Sequence, residues 1–292
     1  MEPLLTFSLD SWHTKFAPAL QSQAIESLEG GQLLFFPQLA FQLTASERPF
    51  LSAIYADPKF KNISYNCHTE ILRGAKATNE EQLQLTKMLQ RFLQHAKSLI
   101  NNVLPHYNSA LILGRTSFRP LQVSQRKISP RKDDKRLHVD AFPANPNQGQ
   151  RILRVFSNVN PNGEDRVWRV GEPFEKVAKQ FLPQIKKPLP GSAHLLKLLN
   201  ITKSHRTEYD HIMLQIHDRM KGDDQYQQEA QQTEIRLPPA SSWIVQTDHV
   251  SHAALAGQFL LEQTFYLPVN AMLDPQQSPL RILERLRERG LV

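Results

Sequence analysis

Apolar positions are irregularly spaced in the first quarter of the chain and then fall into a helical rhythm. Leu85, Met88, Leu89, Phe92, Ala96, Leu99, Ile100 and Val103 recur at steps of three and four across Glu80–Leu104. Such spacing puts them on one face of a helix, and Pro105 ends it because proline cannot continue the hydrogen-bond ladder. Before that helix, the run Leu33–Pro37 reads as a strand in mixed, loop-rich surroundings. After it the texture changes. Ala110–Ser117, Arg151–Val159, Arg166–Val170, Ile212–His217, Thr233–Leu237, Ser242–Thr247 and Gln258–Leu267 are short, often alternating, and bounded by Pro, Gly, Asn or Asp. Those are strand signals, and many short strands predict a sandwich or barrel. A helical insert around 173–210 interrupts them, with helical spacing over Phe174–Ile185 and Ala193–Leu199.

The end of the chain predicts one more helix. Ser278 can cap it, Pro279 suits its first turn and Gly290 can terminate it. Its apolar stripe of Leu280, Ile282, Leu283 and Leu286 runs beside Arg281, Arg285, Arg287 and Arg289. Such a helix either packs its stripe on the body or a second subunit, or lies on an anionic membrane. The expected organisation is therefore a mixed helical region over 1–109, a β-rich core over 110–270 and a basic amphipathic helix over 271–292. The fold class is α+β.

Composition narrows the setting. A chain of 292 residues, 40% hydrophobic and 22% charged, can bury one large core or two small ones. A single cysteine, Cys67, excludes an internal disulfide framework and fits a reducing compartment. The N-terminal stretch lacks the basic-then-apolar order of a secretory signal, and no run is apolar enough to span a bilayer. The expectation is a cytoplasmic protein. Its net charge of +7 favours anionic partners. Nucleic acid is not expected among them, since no zinc-finger spacing or RNP-type aromatic motif occurs.

The candidate chemistry lies in His138-Val-Asp140. Residues two apart on an extended strand project from one face, so both can reach one ion. A later histidine would complete a two-histidine, one-carboxylate set, the arrangement of non-haem iron(II) oxygenases with open metal positions. His-x-Asp alone is a weak motif, and a histidine and aspartate making ordinary surface hydrogen bonds is the bland alternative. A decoy, His68-Thr69-Glu70, precedes the long helix and most of the strands. For the third ligand the choice is between His249 and His252. His252 lies 112 residues after Asp140 and just before the turn at Gly257, which favours it. His249 would then be a hydrogen-bonding group behind the ligands. His205, His211 and His217, in or beside an alternating stretch, read as structural.

An acidic co-substrate needs a buried cation, because guanidinium–carboxylate contacts are strong and directional. The strand after His252 contains no arginine, and Gln263 occupies its expected inward slot. Arg154 is the preferred cation, with Asn158 on the same face and Arg119 as the alternative. Arg126, Lys127, Arg131, Lys132, Lys135 and Arg136 crowd before the ligands, and Arg166 and Arg169 follow. A solvated basic loop partly neutralised by Asp133 and Asp134 would look the same. Four activities share these features: an oxygenase, a zinc hydrolase with the same ligands, a non-catalytic binder of an acidic sugar, and a nucleic-acid binder.

Longer blocks separate them. Arg131–Pro143, Arg151–Pro161, Arg166–Glu175 and Thr247–Pro268, together with Thr116–Pro120, resemble the Kdo hydroxylase family, in order and over about half the chain. The resemblance implies a double-stranded β-helix (jelly-roll) core in one catalytic domain, iron(II), 2-oxoglutarate and dioxygen. It implies hydroxylation at the third carbon of Kdo (3-deoxy-D-manno-octulosonic acid) on a lipid A-linked lipopolysaccharide precursor. It carries His138, Asp140 and His252 over as metal ligands. Arg131, Lys135, Arg136, Arg166 and Arg169 become candidates for meeting sugar carboxylates or lipid phosphates, in an enzyme visiting the inner membrane's cytoplasmic face.

Overall fold

The computed structural model describes residues 2–123, 133–189 and 191–292. Arg126, Lys127, Arg131 and Lys132 lie outside them. The strands are β1 (Leu4–Thr6), β2 (Leu33–Phe36), β3 (Ile63–Asn66), β4 (Ile71–Arg73), β5 (Ile112–Arg119), β6 (Arg151–Asn158), β7 (Arg166–Val170), β8 (Thr233–Leu237), β9 (Ser242–Gln246), β10 (His252–Ala256) and β11 (Leu260–Leu267). The helices are α1 (Pro18–Glu29), α2 (Asn79–Val103), α3 (Phe174–Phe181), α4 (Ser192–Leu198), α5 (Glu208–Gly222), α6 (Asp224–Glu229) and α7 (Pro279–Arg287).

Eight strands form a large sheet in the order β1-β2-β9-β6-β11-β5-β3-β4, and a small sheet pairs β10-β7-β8. Side-chain alternation divides the large sheet into two buried faces. Leu34, Leu153, Val155, Ile244, Leu261, Phe265 and Leu267 join α1, α2 and α7 in one apolar core. Leu33, Phe35, Phe156, Trp243, Val245 and Leu260 turn the other way and meet Trp168, Ile235 and Leu237 of the small sheet. Phe156, Trp168 and Trp243 interlock there, with ring centroids 5.2–5.8 Å apart. Two facing sheets backed by helices constitute the expected jelly-roll fold. Because both faces of β2 are buried, its sequence is uniformly apolar rather than alternating.

Two segments depart from expectation. Ile212–His217 is not a strand but part of α5. Ile212, Leu214 and Ile216 do alternate, yet Tyr209, Ile212, Met213, Ile216 and Met220 are the buried set, at helical steps. A capping box between Thr207 and Asp210 starts the helix. α1 falls within a stretch that read as loop-rich. The C-terminal helix packs on the body: Pro279, Leu280, Ile282 and Leu283 are buried. No helix among the described residues is long and apolar enough to cross a membrane.

Candidate metal centre

His138 and His252 meet through the main chain. Although 114 residues apart, they form a two-way antiparallel bridge, His138 N–H to His252 O at 3.0 Å and His252 N–H to His138 O at 2.9 Å. This adds the segment carrying His138 to the edge of the small sheet beside β10. Asp140 is held two residues further on, its N–H donating to Thr247 O at 2.8 Å. One ligand atom from each of the three side chains lies within 4.8 Å of the other two. Among the described residues this is the single such grouping of three.

The donor set fits a divalent metal. Each histidine holds its Nδ1 2.8 Å from the carbonyl two residues earlier, His138 on Arg136 O and His252 on Val250 O. That contact places the proton on Nδ1 and leaves the Nε2 lone pair free. Burial, reinforced by the neighbouring His252 and Lys221, holds the His138 imidazole well below its ordinary pKa. His252 is lowered as well, again chiefly by burial. Both rings are therefore neutral, as ligation requires. Burial opposes ionisation of Asp140, but the Arg154 guanidinium overcomes it and keeps the carboxyl below the usual carboxylate range. Trp168 stacks on His252, ring centroids 5.1 Å apart, and covers one face of that ring.

A chain of charges runs away from this cluster along the inner face of the large sheet. Arg154 on β6 pairs with Asp140 Oδ2 at 2.8 Å and with Glu262 Oε1 at 2.8 Å. The Asp140 contact is an ion pair lacking hydrogen-bond alignment. Glu262 on β11 also accepts from Arg119 Nε at 2.9 Å. Arg119 faces Asp134 at 3.8 Å, and Asp134 in turn meets Lys61 at 2.7 Å and Lys221 at 3.5 Å. Arg154 and Arg119, both expected from sequence, thus belong to the same buried network as Asp140.

The other expected positions have these surroundings. Gln263 points away from the inner face, toward α2, accepting from Thr116 Oγ1 at 2.5 Å; Glu262 holds the inward slot. Asn158 uses its amide N–H groups on Glu164 O and Leu237 O and accepts from Asn160 N–H, which fastens the end of β6. His249 does not stand behind the ligands, since main-chain carbonyls occupy that role. Its buried ring lies against Phe174, centroids 6.0 Å apart, and beside Gly31. Arg166 is buried and donates to Gly257 O at 3.0 Å. Gly257 itself has φ +109°, and an added Cβ would lie 2.9 Å from the Arg166 Cα, so this turn requires glycine. Arg169 alternates with Trp168 along β7 and therefore faces away from His252. Lys135 stands beside Asp133 at 3.9 Å, and Arg136 pairs with Asp224. The decoy His68 lies at the β3–β4 turn, on Leu113 O.

Sequence reasoning missed the contribution of α5. His217 sets its ring edge-on to His138, centroids 5.4 Å apart, and Lys221 follows one turn later. Their i,i+4 spacing was the available signal, masked by reading the segment as a strand.

Comparison with known proteins agrees with this geometry. The sequence pattern of 3-deoxy-D-manno-oct-2-ulosonic acid (Kdo) hydroxylase matches residues 11–290. Solved structures of the Kdo hydroxylase KdoO, a non-heme Fe(II) alphaketoglutarate dependent dioxygenase, superpose over 100% of this chain and 98% of theirs at 46% identity. The TM-score is 0.96 for its complex with alphaketoglutarate and Fe(III), and 0.97 for its cobalt(II) complex. A complex of the same enzyme with succinate and Fe(III) gives 0.96. A comparison with curated proteins found no match. From its shared pattern and its near-complete superposition, the chain belongs to the Kdo hydroxylase family.

Proposed function

We propose that this chain is an iron(II)- and 2-oxoglutarate-dependent dioxygenase that hydroxylates the 3-position of a Kdo sugar on a lipid A-linked precursor. The observation that carries the reading is the convergence of one ligand atom from each of His138, His252 and Asp140, with both rings oriented by main-chain carbonyls. These three side chains would hold the metal. Bound iron supplies, with 2-oxoglutarate and dioxygen, the oxidising power that converts a C–H bond to C–OH. The remaining work belongs to the chain. Arg154 steadies Asp140 and receives the distal carboxylate of 2-oxoglutarate, with Arg119 as its reserve. Trp168 shields His252 from water. Lys135 and Arg136, with Arg131 from the adjoining sequence, supply positive charge for the acidic sugar. The segments over 1–109, 110–270 and 271–292 act as one catalytic domain, since a single apolar core draws residues from Phe7 to Leu291. The protein works in the cytoplasm and meets its lipid-linked substrate at the anionic membrane surface.

The test is succinate release from 2-oxoglutarate that depends on a Kdo-bearing lipid A and on iron, with a one-oxygen mass gain in the lipid. His138→Ala and Asp140→Ala each abolish succinate release while far-ultraviolet circular dichroism is unchanged. Turnover retained in both variants would remove the ligand assignment. Arg154→Ala raises the apparent KM for 2-oxoglutarate at least about tenfold. An unchanged KM transfers the role to Arg119.

A further inference from the structure

The membrane contact proposed above needs a surface, and α7 does not provide one. Leu280, Ile282 and Leu283 are buried and Leu286 packs against the same core, and the arginines are engaged: Arg281 with Glu284, Arg285 with Glu175, Arg289 with Glu208, and Arg287 on the carbonyls of Leu182 and Ile185. Exposed apolar side chains concentrate elsewhere. Five of the thirteen large ones among the described residues fall between 189 and 201: Leu189, Leu195, Leu198, Leu199 and Ile201. Leu189 and Leu198 are 79% and 78% exposed, and α4 buries none of its residues. The remaining eight are scattered, as on any soluble surface.

Charge distinguishes this patch from an ordinary apolar one. From Phe181 to Thr207 the sequence has no Asp or Glu, but it has Lys186, Lys187, Lys197, Lys203 and Arg206. Exposed leucines interleaved with unopposed lysines suit an interface that is apolar below and anionic above. The patch is also tied to the metal centre. Lys203 N–H donates to Ala144 O at 3.0 Å, Ser204 Oγ to Pro146 O at 3.2 Å and Arg206 Nη2 to Pro143 O at 2.6 Å. The segment they grip follows Asp140 directly. A second copy of this chain would need an acidic face to match the lysines; an anionic bilayer supplies that charge and takes up leucines together.

We propose that residues 186–189 and 191–206, centred on α4, form a docking surface for an anionic phospholipid bilayer. The surface seats the leucines at the acyl boundary and the lysines among the headgroups, which brings the metal centre to a lipid-borne sugar.

Vesicle co-sedimentation tests this with the full chain and needs neither iron nor turnover. Its failure therefore leaves the hydroxylase reading standing, and failure of turnover leaves the surface standing. The protein is expected to sediment with vesicles of mixed phosphatidylcholine and phosphatidylglycerol, and not with phosphatidylcholine alone. Leu195→Ser with Leu198→Ser and Leu199→Ser lowers that binding at least about tenfold. Lys186→Gln, Lys187→Gln and Lys197→Gln each lower it about fivefold and together flatten its salt dependence. Arg281→Gln with Arg285→Gln leaves it unchanged. Leu198→Trp gives a blue-shifted emission with the anionic vesicles, an independent readout in a protein of unaltered fold. Binding that survives the leucine substitutions, or is lost through the α7 substitutions, overturns the proposal. So does a parent dimer that the leucine substitutions dissociate while neither form binds vesicles.

Discussion

Two main-chain carbonyls decide which nitrogen His138 and His252 present, and one carboxylate decides whether the buried Arg154 and the half-buried Arg119 can coexist. Glu262 lies between Arg119 and Arg154 and is itself buried, with its pKa lowered by both cations against the opposing effect of burial. Removing one partner of such a network leaves uncompensated charge, at a cost of about 3–5 kcal/mol. Glu262→Ala should lose that much in urea denaturation and weaken 2-oxoglutarate binding as Arg154 shifts; a loss below about 1 kcal/mol would show the arginines to be solvated. His249 carries a pH signature. Burial, aided by Arg151, pushes its imidazole from 6.5 down to about 3. Between those values the unfolded chain binds the proton and the folded one does not. Stability therefore falls as pH drops through this window, by up to about 1.4 kcal/mol per pH unit. His249→Leu should shrink the stability difference between neutral and mildly acidic solution, and an unchanged difference would assign the acid sensitivity elsewhere. At this scale the sequence disclosed that His138 and Asp140 share a face and that Arg154 turns inward beside them, because His-x-Asp spacing and strand alternation are short-range. It misplaced Gln263 by one residue: β11 is buried on both faces and carries a polar residue on each, Glu262 and Gln263, so its pattern does not say which face is inward.

Elements carry these residues to their places, and α5 shows what that requires. Its capping residue Asp210 accepts from Thr207 N–H and, with its other oxygen, from the N–H groups of Asn147 and Gln148, each at 2.9 Å. The cap thus fastens the helix bearing His217 and Lys221 to the loop before β6. Thr207→Ala should cost about 1 kcal/mol, and Asp210→Ala about 2–3 kcal/mol because further backbone donors lose their acceptor. Hydrogen exchange should then localise the extra opening to α5 and residues 147–148; uniform loosening would contradict this. The long helix α2 was plain in the sequence because nine buried residues repeat on one face. α5 was not, since Ile212, Leu214 and Ile216 satisfy a strand pattern while Tyr209 and Met220, which settle the matter, lie outside it.

Across the whole molecule the ends of the chain are joined. The buried carboxylate of Glu29 at the end of α1 accepts from Tyr107 Oη at 2.6 Å and from the N–H groups of Leu273 and Asp274 at 2.8 and 2.7 Å. Such a unit should unfold in one transition, and a metal bound only by the native state should raise its midpoint. Cobalt(II) at about a hundred times its dissociation constant adds about 2.7 kcal/mol. Asp140→Ala should abolish that gain in a thermal melt, and a persisting shift would place the ion elsewhere. Sequence order alone revealed a β core between helices; the pairing of sheet edges, decided by contacts far apart in the chain, was beyond it.

The bridge between residues 138 and 252 ties the proposed metal centre to a pairing of segments far apart in the chain. Of the three proposed ligands, the His138–Asp140 segment alone would offer one imidazole and one carboxylate, a two-point grip. The third point would come only with the β pairing, so a redox-active metal would be gripped firmly only by the closed barrel.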